Sequence, residues 1–401
     1  MMSNASQNLK GVVERIKAAA SAGTPLRIRG GGTKDFYGQS LQGEILNTTG
    51  LNGITSYEPS ELVVTVQAGT PLAELEAVLA EKNQCLPFEP PHFEKIWGTA
   101  AEPIDILPAF ARTQTTVGGM IAAGLSGPSR ASSGSVKDFV LGVNMVNGKG
   151  EELHFGGTVM KNVAGYDVSR LMAGSMGTLG LITEVSLKVL PIAPAEATLK
   201  FACTQAEALN MLNTWGAQPL PLNASCWIQE AGQGVLYVRL RGAVAAVEAA
   251  IHKMGGQLQN AASGNATVAA DWQALRNQNM DFFKLQGDEC LWRLSVPDTA
   301  PDLQLAHIDK TLIEWHGAQR WVKLPYCDAS IIRSKVNAVG GNAILFIVPK
   351  AINTPAKIGN EVKNKVVFNP LKAPLDRIHR DLKKQFDPAG IFNPGRMFAD
   401  M

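Results

Sequence analysis

The feature that most restricts what this chain can fold into is where its glycines fall. Many of its 39 glycines sit in short clusters beside runs with strand composition, not in long flexible linkers. The first cluster, Arg29-Gly30-Gly31-Gly32-Thr33-Lys34, follows the strand-like LRIR. Three successive residues without a Cβ let backbone N–H groups converge on an anion, and Arg29, Thr33 and Lys34 add charge and a hydroxyl. This reads as a diphosphate cradle. The spacing is neither the GxGxxG of a Rossmann turn nor that of a Walker A loop.

A second cluster runs Thr116-Val117-Gly118-Gly119-Met120 and continues through Gly124, Ser133, Gly134 and Asp138. Small residues at these positions suit close contact with a flat, extended ligand. A third begins at Gly165-Tyr166-Asp167 and passes through Gly174, Gly177 and Gly180 into the strand-like Leu181-Ile182. Glycines leading into a strand let backbone groups meet a ring edge.

Between these clusters the pattern is α+β. Residues 9–22 read as a short helix, and PLAELEAVLAEKN as another with Pro71 at its start. VLGVNMV and EELHF flank Asn147-Gly148, a hairpin signal. The run ends at Pro191, where a domain boundary is expected. From residue 196 the order strand, helix, strand, strand, helix, strand is that of a ferredoxin-like unit, followed by more helix and strand up to NAILFIVP. Near the C-terminus Leu375, Ile378, Leu382 and Phe386 share a helical face. The expected domains are 1–192, 193–365, and a segment 366–401 that returns to the first domain.

Composition narrows the function. With 401 residues, 45% apolar and 18% charged, this is a folded chain of two or three domains. A net charge of +2 leaves no footprint for nucleic acid. No stretch approaches the ~20 apolar residues of a membrane span, so a cytoplasmic protein is expected. The five cysteines are scattered without a CxxC pair, which speaks against zinc, disulfides and iron–sulfur ligation. No metal is expected.

The succession RGGGT, ELVVTVQAG, TVGGM, GTLGLITEV and FDPAGIFNPGRM resembles the vanillyl-alcohol-oxidase/PCMH family of FAD-binding domains, across roughly residues 10–190 and 375–397. The resemblance implies a PCMH-type domain of two α/β subdomains beneath an α+β cap. FAD would be held by loops 29–34 and 116–124, by Gly165, Tyr166, Gly177, Gly180 and Ile182, and by Asn393 and Arg396. Many relatives attach FAD through a His after the double glycine of the first loop. Here that residue is Thr33, so the resemblance implies non-covalent FAD.

GTVMKNVAGYDVSRLMAGSMGTLGLITEVSLKVLP and LKKQFDPAGIFNPGRMF are most similar to the FAD-binding subunits of bacterial glycolate oxidases. That implies a complex with a second, catalytic flavoprotein subunit and an iron–sulfur subunit, oxidising the small 2-hydroxy acid glycolate to glyoxylate. Such a complex would touch the inner membrane only through its partners. Relatives that oxidise 2-hydroxy acids carry a His-x-His-x-Gly-Asp-Gly segment, and this chain has no His-x-His, which leaves its catalytic residues unassigned. The polar candidates near the loops are Arg112, Arg130, Tyr166, Arg170 and Arg396. A stand-alone FAD oxidase of another alcohol or hydroxy acid, and a non-catalytic flavin-binding scaffold, remain open readings at this point.

Overall fold

The computed structural model describes residues 4–93, 114–158, 166–259, 261–305, 308–348 and 366–401. Helix α1 spans Asn4–Ala22. It starts five residues ahead of the sequence expectation, because its polar first turns carry no apolar periodicity. Val13, Ile16 and Ala19 bury one face of it. Beside it β1 (Leu26–Arg29) and β2 (Glu44–Asn47) pair in parallel.

The strands β3 (Ile54–Glu58) and β4 (Val63–Gln67) form an antiparallel pair. Helix α2 (Leu72–Glu81) follows, with Pro71 as its N-cap and Leu72, Leu75 and Leu79 buried. A short β5 (Gln84–Cys85) precedes the second glycine cluster, which forms α3 (Val117–Ala123). Next come α4 (Arg130–Ser133), β6 (Val140–Val146), β7 (Glu152–Gly156), α5 (Val168–Leu171), β8 (Leu181–Lys188) and β9 (Leu190–Pro191). The five-stranded sheet has the order β3-β4-β8-β6-β7. Its core joins Val64, Val66, Val143 and Val185 to Leu72 and Leu75 of α2 and Met120 of α3.

The hairpin β6–β7 is present, but its turn is not the two-residue one that Asn147-Gly148 suggests. The turn spans residues 147–151, and the Asn147 side-chain oxygen accepts from the N–H groups of Lys149 and Glu151 at 2.9 and 3.0 Å. The left-handed residue is Gly150, at φ +75°. Gly148 serves a different purpose, since a Cβ there would collide with Asp387.

The remaining strands build one eight-stranded antiparallel sheet. Its first half is β10 (Ala195–Ala202), α6 (Gln205–Gly216), β11 (Leu222–Glu230), β12 (Gln233–Gly242), α7 (Val244–Met254) and β13 (Gln257–Gln259). These pair in the order β13-β10-β12-β11, the 4-1-3-2 arrangement of a ferredoxin-like unit. After α8 (Ala261–Arg276) come β14 (Glu289–Ser295), β15 (Thr311–Glu314), β16 (Gln319–Pro325), α9 (Ala329–Ala338) and β17 (Asn342–Ile347). These pair as β15-β16-β14-β17, the same 4-1-3-2 order read from the other side. The second half is therefore a repeat of the first, without the helix between its first two strands. Antiparallel β11 and β15 join the halves.

Helix α10 (Leu375–Phe386) leads the terminal segment back to β1. Leu26 N–H donates to Ile391 O at 2.7 Å, and Asn393 N–H donates to Leu26 O at 2.8 Å. Buried Lys383 fastens this return through Asp387 (2.6 Å) and the carbonyls of Thr178 and Phe392. Aromatic packing ties the first sheet region to the eight-stranded one: Phe36, Tyr37 and Phe93 meet Phe346, which packs against Trp321.

Candidate functional site: a glycine-walled cleft at the end of β1

The alternation of β1 and the glycines after it place the first loop directly against the second. A Cβ on Gly30 would strike the Thr116 side chain, and one on Gly31 would run into the carbonyl oxygen of Gln114. Gly118 leaves a Cβ only 2.7 Å from that of Ala68. The hydroxyls of Thr33 and Thr115 share a hydrogen bond at 2.9 Å. Gly32 has φ +77°, and Asp35 N–H donates back to its carbonyl at 3.1 Å, closing a tight turn. These glycines bring two backbones together. The consequence is chemical: among the described residues the N–H groups of Gly30, Gly31, Gly32 and Thr33 donate no hydrogen bond. Four adjacent unused donors make an anion-binding concavity.

The cleft over this loop is lined by residues 27–35 and 40–42, and by Thr116, Gly119, Ala122, Ala123, Met176, Asn393 and Arg396. Through Ile28, Gly119, Met176 and Asn393 it continues into a lobe walled by Gly118, Gly177, Gly180 and Ile182. Asn393 fixes the junction. Its Oδ1 accepts from Ile28 N–H at 2.8 Å and its Nδ2 donates to Met176 O at 2.6 Å. Arg396 Nη2 donates to Lys34 O at 2.9 Å.

Most sequence-predicted site residues meet here: Arg29 through Lys34, Thr116, Gly118, Gly119, Gly177, Gly180, Ile182, Asn393 and Arg396. Others do not line the cleft, for local reasons. Val117 is buried in the core at the start of α3. Gly124 ends α3 at φ +64°, where a Cβ would sit 2.9 Å from Gly174. Ser133 Oγ donates to Pro87 O at 2.9 Å, Gly134 has φ +102° as the cap after α4, and Asp138 accepts from Ser135 N–H and Oγ at 2.8 Å in a capping box. Tyr166 is 95% exposed. Gly165 and Arg112 lie outside the described residues.

Of the polar candidates, Arg170 pairs with Asp167 at the surface, and Arg130 stacks 4.4 Å over Trp315. Among the described candidates, Arg396 alone lines the cleft. Sequence reasoning missed Arg27. It lies two residues before Arg29 on the same strand face, so the period-2 alternation of LRIR was a usable signal.

Burial pulls Lys34 in this cleft from its ordinary 10.5 down to about 7. Among the described residues its amine touches only the hydroxyls of Thr33 and Thr115, both at 3.4 Å, and sits 5.6 Å from the Phe93 ring. Burial likewise lowers Arg396 to about 10, with Arg27 pushing in the same direction and Asp35 opposing. Asp35, the one acidic residue among the described lining, is taken by Arg29 at 2.8 Å.

Where the eight-stranded sheet meets this region, several of its buried polar side chains are bonded to one another or to the first domain. Arg293 Nε donates to Gln319 at 2.7 Å and Gln319 donates to Glu314 at 2.9 Å. Burial raises Glu314 to about 7. Arg239 is paired with Glu89 at 2.7 Å. Cys85, Cys203 and Cys226 are free thiols, and the described residues contain no group of three His, Cys, Asp or Glu able to hold a metal.

Comparison with known proteins fits this geometry. Residues 6–102, which contain the first glycine loop, match a family described as FAD binding domain. The glycolate oxidase subunit GlcE of Escherichia coli is 42% identical over 97% of this chain and 97% of its own length. The chain belongs to the glycolate oxidase GlcE family. Across this family's fold, likeness extends to the glycolate oxidase subunit GlcD of Bacillus subtilis, at 25% identity over 94% of the chain and 84% of that protein. An alkyldihydroxyacetonephosphate synthase structure shares the fold, with a TM-score of 0.62 at 16% identity, covering 96% of this chain and 74% of that one. The unused loop amides, the excess of described cations over carboxylates and the small-residue walls fit a dinucleotide's diphosphate. No helix among the described residues is long and apolar enough to cross a membrane.

Proposed function

We propose that this GlcE-family chain is the FAD-binding subunit of a multi-subunit glycolate oxidase, oxidising glycolate to glyoxylate and exchanging electrons with its partners. The partners are a second, GlcD-like flavoprotein subunit and an iron–sulfur subunit, in the cytoplasm or at the inner membrane through them. The observation that carries this reading is the contact of two glycine loops over four unused N–H donors. Residues 1–192 and 366–401 form the cofactor domain, and 193–365 the cap.

In this reading the amides of Gly30 to Thr33 hold the diphosphate, and Gly118, Gly177 and Gly180 admit the nucleotide along the second lobe. Asn393 and Arg396 close the cleft from the C-terminal segment. With Thr33 where relatives carry a linking His, the cofactor is held without a covalent bond. Bound FAD would supply a two-electron carrier within the complex. Phe36, Phe93 and Phe346 pack together beside the cleft and exclude water there. The residues that would bind the glycolate carboxylate and take its hydroxyl proton stay unassigned.

The test is glycolate-dependent dye reduction by the reconstituted complex. The reading expects turnover with the FAD-loaded chain and its loss with a flavin-free Gly31→Val chain. Equal turnover by both complexes would contradict an electron-carrying role.

A further inference from the structure

Among the described residues the cleft carries more positive than negative charge. Four described cations line it, Arg27, Arg29, Lys34 and Arg396, against one described carboxylate, Asp35. Asp35 is paired with Arg29. Among the described residues, the guanidinium of Arg27 makes no hydrogen bond and no ion pair, and its Nε is shut off from solvent. Arg27 also stands near enough to Arg396 to disfavour that residue's charge.

An unbonded guanidinium nitrogen out of water, beside a second guanidinium, is unfavourable on two counts: lost solvation and like-charge repulsion. An anion between the two would relieve both. The partners already in place restrict where it sits. Arg396 is anchored by the carbonyls of Lys34 and Asp35, at 2.9 and 3.5 Å, so its fork stays at the rim of loop 30–34. Arg27 is fixed by its place in β1, which continues directly into the same loop.

Resting on the reading above, we propose that Arg27, with Arg396, binds the cofactor diphosphate that the Gly30–Thr33 amides cradle in the same cleft. Planar guanidinium forks suit phosphoryl oxygens, which accept paired charge-assisted hydrogen bonds. The loop amides position the diphosphate, and Arg27 supplies charge that the empty protein carries unsatisfied. The same group is thus a ligand in the loaded protein and a liability in the empty one, which a residue with a purely structural role would not be.

The experiment uses the full chain, freed of flavin, with FAD and ADP as probes at low and high salt, comparing the wild type with Arg27→Gln and Arg27→Lys. Arg27→Gln should weaken both probes about 10- to 100-fold and flatten the salt dependence, with Arg27→Lys recovering part of the loss. The melting temperature of empty Arg27→Gln should equal or exceed that of the wild type. Unchanged affinity, weakening with an unaltered salt slope, or a lower melting temperature in the empty variant would each overturn the proposal. A wild-type chain that binds neither probe would instead overturn the FAD reading beneath it.

Discussion

The glycine cleft and the seam between the two large sheets are built on opposite principles, although both bury charge. At the seam several charges are matched within the protein. Glu89 receives Arg239 and Arg241 at 2.7 and 3.0 Å, and Arg293, Gln319 and Glu314 form a chain that ends on the indole N–H of Trp321 at 2.6 Å. In the cleft, among the described residues, four backbone donors and one guanidinium are unused, and a buried amine meets only hydroxyls. Groups satisfied within the protein hold a fold together. Groups left unsatisfied in a concavity mark where a ligand completes the structure.

The sharpest way to break this comparison is Gly31→Val. Because the new side chain would be driven into the Gln114 carbonyl, the two loops must part, and FAD binding should be lost altogether. Retained FAD, measured by flavin absorbance after gel filtration, would refute the cradle. The reason is collision between loops, not occupation of the diphosphate's own space.

At the seam, Glu89→Gln should leave Arg239 buried without its counter-charge and cost about 3–5 kcal/mol in urea unfolding, with no change in cofactor specificity. Burial by itself raises the Glu89 carboxyl, and Arg239 and Arg241 outweigh it, holding the carboxyl at about 2 against an ordinary 4.5. Stability from this group is therefore complete above pH 4.5 and drains away as pH falls toward 2, by about 3 kcal/mol at most. An acid titration of wild type and variant should converge in that window.

The cleft should respond in the opposite pH range. In the empty protein Lys34 titrates near 7 and not at 10.5, so its charged form opposes folding. That penalty is absent above pH 10.5 and complete below 7. An anion in the cleft favours the charged amine, so FAD binding should take up a proton and its affinity should fall as pH rises above 7, by at most about tenfold per unit. Lys34→Met should flatten that slope in fluorescence titrations. The smallest effect expected is at Asp138, whose capping box lies away from the cleft. Asp138→Ala should cost about 1 kcal/mol and leave FAD affinity unchanged.

What the sequence disclosed follows from how local each signal is. LRIR before a glycine run announces a strand entering a tight turn, and the strand-helix order after residue 196 announces the first ferredoxin-like unit, because both are written in consecutive residues. Its repeat was hidden because the connection from β14 to β15 carries no helix, which breaks the pattern. The Glu89–Arg239 pair joins positions 150 residues apart, and nothing near either residue marks it. Gly134 and Asp138 have local roles that the sequence did not single out, as a cap residue and in a capping box, because glycine and aspartate serve turns and caps as readily as ligands. Arg27 was legible through strand alternation but was overshadowed by the glycines beside it.

The most direct test of the central claim is the absorption spectrum of the purified chain, before and after acid precipitation. Held without a covalent bond in the cleft, FAD should give a flavin spectrum at one per chain and pass entirely into the acid supernatant. Flavin retained in the precipitate would contradict the non-covalent cradle, and a chain that stays colourless after incubation with FAD would contradict the site itself.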